Sequence, residues 1–238
     1  MSRHLSTTGD IIAFFPPSVK VYFLFFLKVF LAIVAFSQYN KNKKGVFMEI
    51  LYSDNGIVIC IKPVGLDSES DVPQELKLQL SGEIFPIHRL DKNVGGVMVY
   101  ARTKAAAATL SKAVQDGSMV KEYMAMVHGT PPDSGDWTDL LFKDSSKNKV
   151  FVVKKERKGV KTARLEFVRL SEQLVRIRLH TGRSHQIRVQ FASRGFPLVG
   201  DHKYGSRDEA TAPMLFSCCL TFPWKGKEMR FEKLPDWV

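Results

Sequence analysis

Cysteine is scarce in this sequence, and its placement excludes several classes of protein. The chain has three cysteines in 238 residues. Cys60 stands alone in an apolar run, whereas Cys218 and Cys219 are adjacent. An odd count without paired spacing argues against a secreted disulfide framework, and no CxxC spacing or His/Cys cluster predicts a zinc site. This cysteine usage fits a reducing compartment best, so we predict a cytoplasmic protein without a bound metal.

The sequence also lacks an apolar run long enough for a clear membrane-spanning helix. The candidate run at residues 21–36, VYFLFFLKVFLAIVAF, is interrupted by Lys28 and is shorter than the roughly 20 residues of a span. Three interpretations of residues 1–47 stay open: a marginal membrane anchor, a signal segment without a clear cleavage site, or translation from a start upstream of the true one. We favour the last, because Met48 opens a globular pattern. We therefore predict an extension over residues 1–47, a single domain over residues 48–238, and no membrane association.

Acidic residues are too few to balance the basic ones. The chain has 35 Lys and Arg against 24 Asp and Glu, which gives a formal net charge of +11. Much of the excess lies in residues 151–194, where twelve Lys and Arg stand against three Glu. A concentrated basic segment suggests a polyanionic partner, most commonly nucleic acid. A basic surface that serves only solubility is the alternative.

The pattern from Met48 onward indicates many short strands and few helices. Two strands flank a tight Asp54–Gly56 turn, a strong hairpin signal. Thr103 is placed to cap a helix that Gly117 ends, and Ser184 to cap a helix that Gly195 ends. This mixture predicts an α+β fold with a mixed, mainly antiparallel sheet and flanking helices. The other predicted elements are a helix at 71–81, strands at 95–102 and 121–129, a loop at 131–136, a hairpin around 171–172, and strands at 214–224 and 228–234.

One stretch, PIHRLDKNVGGVMVYAR, places a carboxylate where folding alone does not favour it. Asp91 follows two charged residues and precedes Gly95 and Gly96, at the start of an apolar run typical of a buried strand. An aspartate that caps a turn is the plain structural explanation. The two glycines are expected to let the backbone approach a ligand closely.

Three further stretches combine charged or aromatic residues with turns. KEYMAMVHG places Tyr123 on a strand, LHTGRSHQIRVQ gathers Arg183 and His185 at the start of a helix, and PLVGDHKYG sets Asp201 after a glycine. Each stretch alone has a structural explanation, as a half-buried aromatic, a solvated charge or an ordinary turn. Their occurrence together, in this order, favours a function.

These stretches resemble the motif series of the RluA-type RNA pseudouridine synthases, which here reads HRLD followed by glycine, then KEY, TGRSHQIR and GD..YG. The stretch IVICIKPVGL resembles the leading motif of that family. The resemblance covers residues 48–234. It implies the catalytic fold of that family and the isomerisation of a specific uridine in ribosomal or transfer RNA to pseudouridine. This reaction breaks N1–C1′ and joins C5 to C1′ without net oxidation or reduction, so no cofactor is implied. We expect a monomer whose partner is the RNA substrate.

The resemblance also implies roles for individual residues. Asp91 is implied to be the essential carboxylate, either as a nucleophile or in forming an unsaturated sugar intermediate. Arg183 is implied to keep that carboxylate ionised through an ion pair. Tyr123 is implied to stack on the base, where it could also accept the C5 proton. The implied RNA-binding residues are His88, Arg89, His185, Ile187 and Arg188, with Arg89 filling the space that the flipped nucleotide leaves and Ile187 lining the pocket floor.

Two positions depart from the family pattern. Val94 and Gly95 stand where members usually carry Thr and Ser, and the loss of two hydroxyl groups could change substrate contacts. The RNA specificity of relatives therefore does not transfer directly to this chain.

Other functions are compatible with parts of the sequence. A non-catalytic RNA-binding or RNA-chaperone protein would use the same basic groove. A hydrolase with Cys218 or Cys219 as nucleophile lacks an electropositive setting for the thiol. A metal site at His180 and His185 lacks a third ligand nearby in the sequence.

Overall fold

The structure is a computed structural model, and it describes residues 46–238. The apolar run at 21–36 lies outside the described residues. No helix in the described part is both long enough and apolar enough to cross a membrane. The strands of this part are β1 (Glu49–Ser53), β2 (Ile57–Lys62), β3 (Phe85–Pro86), β4 (Gly95–Ala101), β5 (Val120–Met126), β6 (Ser134–Asp144), β7 (Lys149–Val153), β8 (Val160–Arg169), β9 (Leu174–Leu179), β10 (Leu215–Trp224) and β11 (Lys227–Glu232). The helices are α1 (Asp71–Leu80), α2 (Lys104–Gln115), α3 (Gln186–Ala192) and a 3-10 helix at His202–Tyr204.

All of these strands belong to one sheet. Its order is β1-β2-β4-β10-β5-β9-β8-β6-β7, while β11 pairs with β10 and β3 pairs with β4. The pairings within the described residues are antiparallel except that between β4 and β10, which is parallel. The predicted α+β class, with a mixed and mainly antiparallel sheet, is confirmed. The predicted domain boundary at residue 48 stays a prediction.

The parallel contact between β4 and β10 explains the paired glycines after Asp91. Gly96 pairs with Ser217, and a Cβ at Gly96 would lie 2.4 Å from the Ser217 carbonyl oxygen and 2.5 Å from its nitrogen. Gly96 also has φ +127°, a conformation that other residues adopt at a cost. The backbone of β10 therefore approaches Gly96, where the sequence predicted the approach of a ligand.

The core lies on both sides of the central strands. Successive residues of β4 alternate between two apolar clusters, with Met98 in one and Val99 in the other. Leu76 of α1 and Phe191 of α3 join the first cluster, and Leu110 of α2 joins the second. Strand β4 is buried on both faces, which is why its sequence is continuously apolar rather than alternating.

Several predicted local features are confirmed. Asp54 accepts hydrogen bonds from the amides of Gly56 and Ile57 at 2.7 and 2.8 Å, and this closes the β1–β2 turn. Thr103 caps α2, because its side chain accepts a hydrogen bond from the Ala106 amide at 3.1 Å. The helix at 71–80 and the hairpins β8–β9 and β10–β11 also form where the sequence predicts them.

Two local predictions are wrong. The cap position of α3 is occupied by His185 rather than Ser184, and His185 adopts a left-handed conformation with φ +50°. The segment 131–136, predicted as a loop, contains the start of β6, and the β6–β7 hairpin was not predicted. Most residues of β6 are exposed or half-buried, so the segment lacks the apolar run by which a buried strand is recognised.

Candidate active site

The residues with predicted roles meet in a cleft of about 520 Å³. Its walls come from the HRLD turn before β4, from the end of α2 and the start of β5, and from the connection between β9 and α3. These segments are far apart in the chain, and the sheet order places β5 directly between β10 and β9. The predicted site residues that line the cleft are His88, Arg89, Asp91, Tyr123, Arg183, His185, Ile187 and Arg188.

Arg188 holds Asp91 at one wall of the cleft. Its Nη1 donates to Asp91 Oδ2 at 2.9 Å, while its Nε and Nη2 donate to the two carboxylate oxygens of Asp201 at 2.7 Å each. The Arg188 side chain is 8% exposed and that of Asp201 is 1% exposed. Burial lowers the pKa of the Arg188 guanidinium, but the hydrogen bonds and charges of Asp201 and Asp91 outweigh it and hold this pKa above its ordinary value. One arginine thus bridges two carboxylates.

The prediction that Arg183 pairs with Asp91 is wrong. Arg183 is exposed in the β9–α3 connection, and its Nε donates to the Thr162 carbonyl at 2.9 Å. Asp91 instead has Arg188 at 2.9 Å and His185 Nε2 at 3.8 Å. The four residues between the two arginines include the start of α3, which turns Arg188 inward and leaves Arg183 at the rim. The motif alone did not distinguish them.

Tyr123 lies in the same cleft on β5. Its side chain is buried, with 5% of the residue exposed. Burial raises the pKa of the phenol, the charge of Asp91 raises it further, and a hydrogen bond with Ser217 opposes the shift. The phenol is therefore protonated at neutral pH.

His185 links Asp91 to the segment after Gly200. Its Nδ1 lies 2.9 Å from the Tyr204 hydroxyl, which accepts a hydrogen bond from the Val150 amide at 2.8 Å. The imidazole is thus hydrogen-bonded to Tyr204 at Nδ1, while its Nε2 lies 3.8 Å from Asp91 Oδ2. Burial lowers the pKa of His185, against the opposing charge of Asp91, so the imidazole is neutral at neutral pH.

The turn that carries Asp91 is supported by Lys62, for which the sequence predicted no role. Lys62, at the end of β2, is fully buried, and its Nζ donates to the carbonyls of Pro63, Lys92 and Val94 at 2.8 to 3.1 Å. Burial lowers its pKa to about 8, although the charges of Asp67 and Asp91 oppose this. A single lysine at the end of the apolar run IVICIK was the sequence signal for this support.

The remaining predicted residues differ in exposure. The Arg89 side chain is 59% exposed and pairs with Glu69 at 3.2 Å. His88 is half-buried, its Nε2 accepts a hydrogen bond from the Val99 amide at 3.3 Å, and burial lowers its pKa to about 3. Ile187 is buried in the main core and lines the cleft.

The surroundings of Cys218, Cys219 and His180 do not support the cysteine nucleophile or the metal site considered from the sequence. Burial raises the pKa of Cys218 to about 12 and also raises that of Cys219, so both thiols are protonated at neutral pH. No cluster of three metal-ligating side chains occurs within residues 46–238. His180 pairs instead with Glu166 at 2.9 Å.

Comparison with known proteins gives the class to which this fold and cleft correspond. The family model described as RNA pseudouridylate synthase matches residues 56–193. The structure titled Human RNA Pseudouridylate Synthase Domain Containing 1 has the same fold, with a TM-score of 0.71 and 20% identity over 82% of this chain and 87% of that one. The chain belongs to the RNA pseudouridylate synthase family.

Relatives with similar sequences support the RluA type within this family. The dual-specificity RNA pseudouridine synthase RluA of Escherichia coli is 31% identical over 206 residues, which cover 80% of this chain and 94% of that protein. Ribosomal large subunit pseudouridine synthase C of Buchnera aphidicola is 33% identical over 181 residues, 71% of this chain. The match spans only 58% of the length of the Buchnera protein. The resemblance to the RluA-type family is therefore confirmed.

Proposed function

We propose that this protein isomerises a specific uridine in RNA to pseudouridine, with Asp91 as the essential carboxylate. The observation that carries the proposal is the position of Asp91: its side chain is 20% exposed, faces the cleft that Tyr123 lines, and is held by Arg188. A carboxylate in such a cleft can attack a sugar or assist its elimination, provided that it stays ionised. The adjacent guanidinium favours the ionised form.

The residues around the cleft act on different parts of the nucleotide. Asp91 acts at the sugar, where N1–C1′ breaks and C5–C1′ forms. Tyr123 offers an aromatic face to the flipped uracil, since base stacking contributes roughly 1–3 kcal/mol. The raised pKa of this phenol supports stacking or hydrogen bonding over a role as proton acceptor. Arg183, at the rim, serves RNA binding rather than the pairing first expected of it.

Ribosomal RNA is the substrate class that we propose first. The Buchnera relative is named for the ribosomal large subunit, and the relative matched over most of its own length is named as dual-specificity. Transfer RNA, which the sequence resemblance also implies, is the second substrate to examine. Cytoplasmic location and a monomeric state remain predictions from the sequence.

The test is formation of pseudouridine by the purified protein. In vitro transcribed large-subunit ribosomal RNA and transfer RNA are incubated with the wild type and with Asp91→Asn, and pseudouridine is then mapped along each RNA. We expect one or a few modified sites with the wild type and none with Asp91→Asn, while RNA affinity stays within a few-fold. Asp133→Asn, at an exposed carboxylate outside the cleft, is the matched control.

Two results would contradict the proposal. Product formation by Asp91→Asn in a single-turnover assay would remove the carboxylate from the mechanism. RNA binding by the wild type without modification of either RNA would favour the non-catalytic RNA-binding alternative.

A further inference from the structure

Lys121 is a charged residue of the cleft to which the mechanism assigns no role. It precedes Tyr123 by two positions on β5, so both side chains emerge on the same side of the strand. Both residues line the cleft. The ammonium stands next to the β9–α3 connection, since a Cβ at Gly182 would lie 3.4 Å from Lys121 Nζ. Glycine at this position leaves space beside the ammonium.

No carboxylate in the described part of the chain forms an ion pair with Lys121. Among the ion pairs formed within residues 46–238, none includes Lys121. The adjacent Glu122 points to the other side of the strand, where it pairs with Arg176 at 2.5 Å. Burial accordingly lowers the pKa of Lys121. A partly desolvated cation without a counter-ion is costly, and an anionic ligand would offset that cost.

The charged side chains around Asp91 have the reverse charge balance. There, Arg188 supplies one positive charge against the two carboxylates of Asp91 and Asp201. With His185 neutral, these three side chains carry a net charge of −1, and the Arg188 guanidinium is already paired with both carboxylates. When the sugar of a nucleotide lies at Asp91, a neighbouring phosphate is therefore expected to lie beside Lys121 and not beside these three side chains. A lysine ammonium is a compact point charge suited to a phosphodiester.

We propose that Lys121 binds a backbone phosphate adjacent to the target uridine. The inference rests on the proposed function, and it adds the group that orients the nucleotide in the cleft. Lys121 is a binding residue here: it places the sugar at Asp91 and the base at Tyr123 without entering the bond changes.

The test compares Lys121→Gln and Lys121→Arg with the wild type on the ribosomal or transfer RNA that the wild type modifies. A charged hydrogen bond contributes enough that Lys121→Gln should raise KM about 10- to 100-fold while kcat changes only a few-fold. The slope of log affinity against log salt should become shallower by about 0.7, the value for one phosphate contact on a single strand. Lys121→Arg should restore both. Lys227→Gln, at an exposed lysine outside the cleft, should leave both unchanged.

A substrate with one altered phosphate identifies the contacted group. A synthetic fragment around the modified uridine carries a neutral methylphosphonate either on its 5′ side or on its 3′ side. With the wild type, one of these substitutions should raise KM as much as Lys121→Gln does, and with Lys121→Gln the same substitution should have no further effect. Additive effects at both phosphates would overturn the inference and indicate a contact with the base or sugar.

The possible failures can be told apart. If the wild type forms no pseudouridine in either RNA, the proposed function fails and this inference falls with it. If the wild type is active and Lys121→Gln keeps the wild-type KM and salt slope, only the inference about Lys121 is wrong.

Discussion

The arginine bridge allows a direct comparison of two residues that the motif TGRSHQIR does not distinguish. Arg188 contacts Asp91 and Asp201, whereas Arg183 donates to a backbone carbonyl at the rim. We expect Arg188→Lys to shift the acidic limb of the pH profile of kcat/KM to higher pH, and Arg183→Lys to leave it in place. A lysine keeps the charge but cannot bond both carboxylates with a planar fork.

The size of the shift follows from the geometry. Two unit charges about 4 Å apart interact by roughly 4 kcal/mol at an effective dielectric constant of about 20. Complete loss of this interaction would move the acidic limb of kcat/KM by up to about 3 pH units, and partial loss in Arg188→Lys by about 1. The sign is fixed, because removing a nearby cation disfavours the carboxylate. Activity should therefore fall most at low pH.

Single-turnover formation of pseudouridine across the acidic range measures this shift. Arg188→Gln alone leaves Asp201 buried without its partner, at a cost to folding of about 3–5 kcal/mol. The double variant Arg188→Gln with Asp201→Asn removes that buried charge, so it tests complete loss of the cation in a folded protein. An acidic limb that moves in Arg183→Lys and stays fixed in both Arg188 variants would refute the assignment.

Two further predictions concern the support of the Asp91 turn. Gly96→Ala should reduce the free energy of unfolding by about 2 kcal/mol more than Gly117→Ala does. Both glycines have positive φ, but only Gly96 lies against backbone atoms of β10. Equal losses of stability in urea denaturation would contradict the steric argument. Lys62→Met should cost about 1–3 kcal/mol through unsatisfied carbonyls. Since the folded pKa of Lys62 is about 8 and its ordinary value 10.5, the wild type gains stability from this lysine as pH rises between these values. Lys62→Met should lose that gain, and an unchanged pH dependence of unfolding would count against the buried lysine.

The local elements were predictable wherever the sequence carried a cap, a turn or a clear apolar pattern. Thr103 marked the start of α2, and the Asp54–Gly56 turn marked the first hairpin. The β6–β7 hairpin was missed because β6 is mostly exposed or half-buried and offers a weak apolar signal. The cap of α3 was misassigned because a left-handed histidine at a helix start has no sequence signature.

By itself, the sequence determined the family, the fold class and the set of residues that meet in the cleft, because ordered motifs and alternating patterns are local properties of the chain. Only the tertiary structure decided which arginine meets Asp91, since that depends on the direction in which α3 leaves the β9 strand. It also decided that Gly96 accommodates β10 and that Lys121 has no carboxylate partner among residues 46–238. Such facts depend on strands distant in the chain becoming neighbours in one sheet, and no local pattern encodes that proximity.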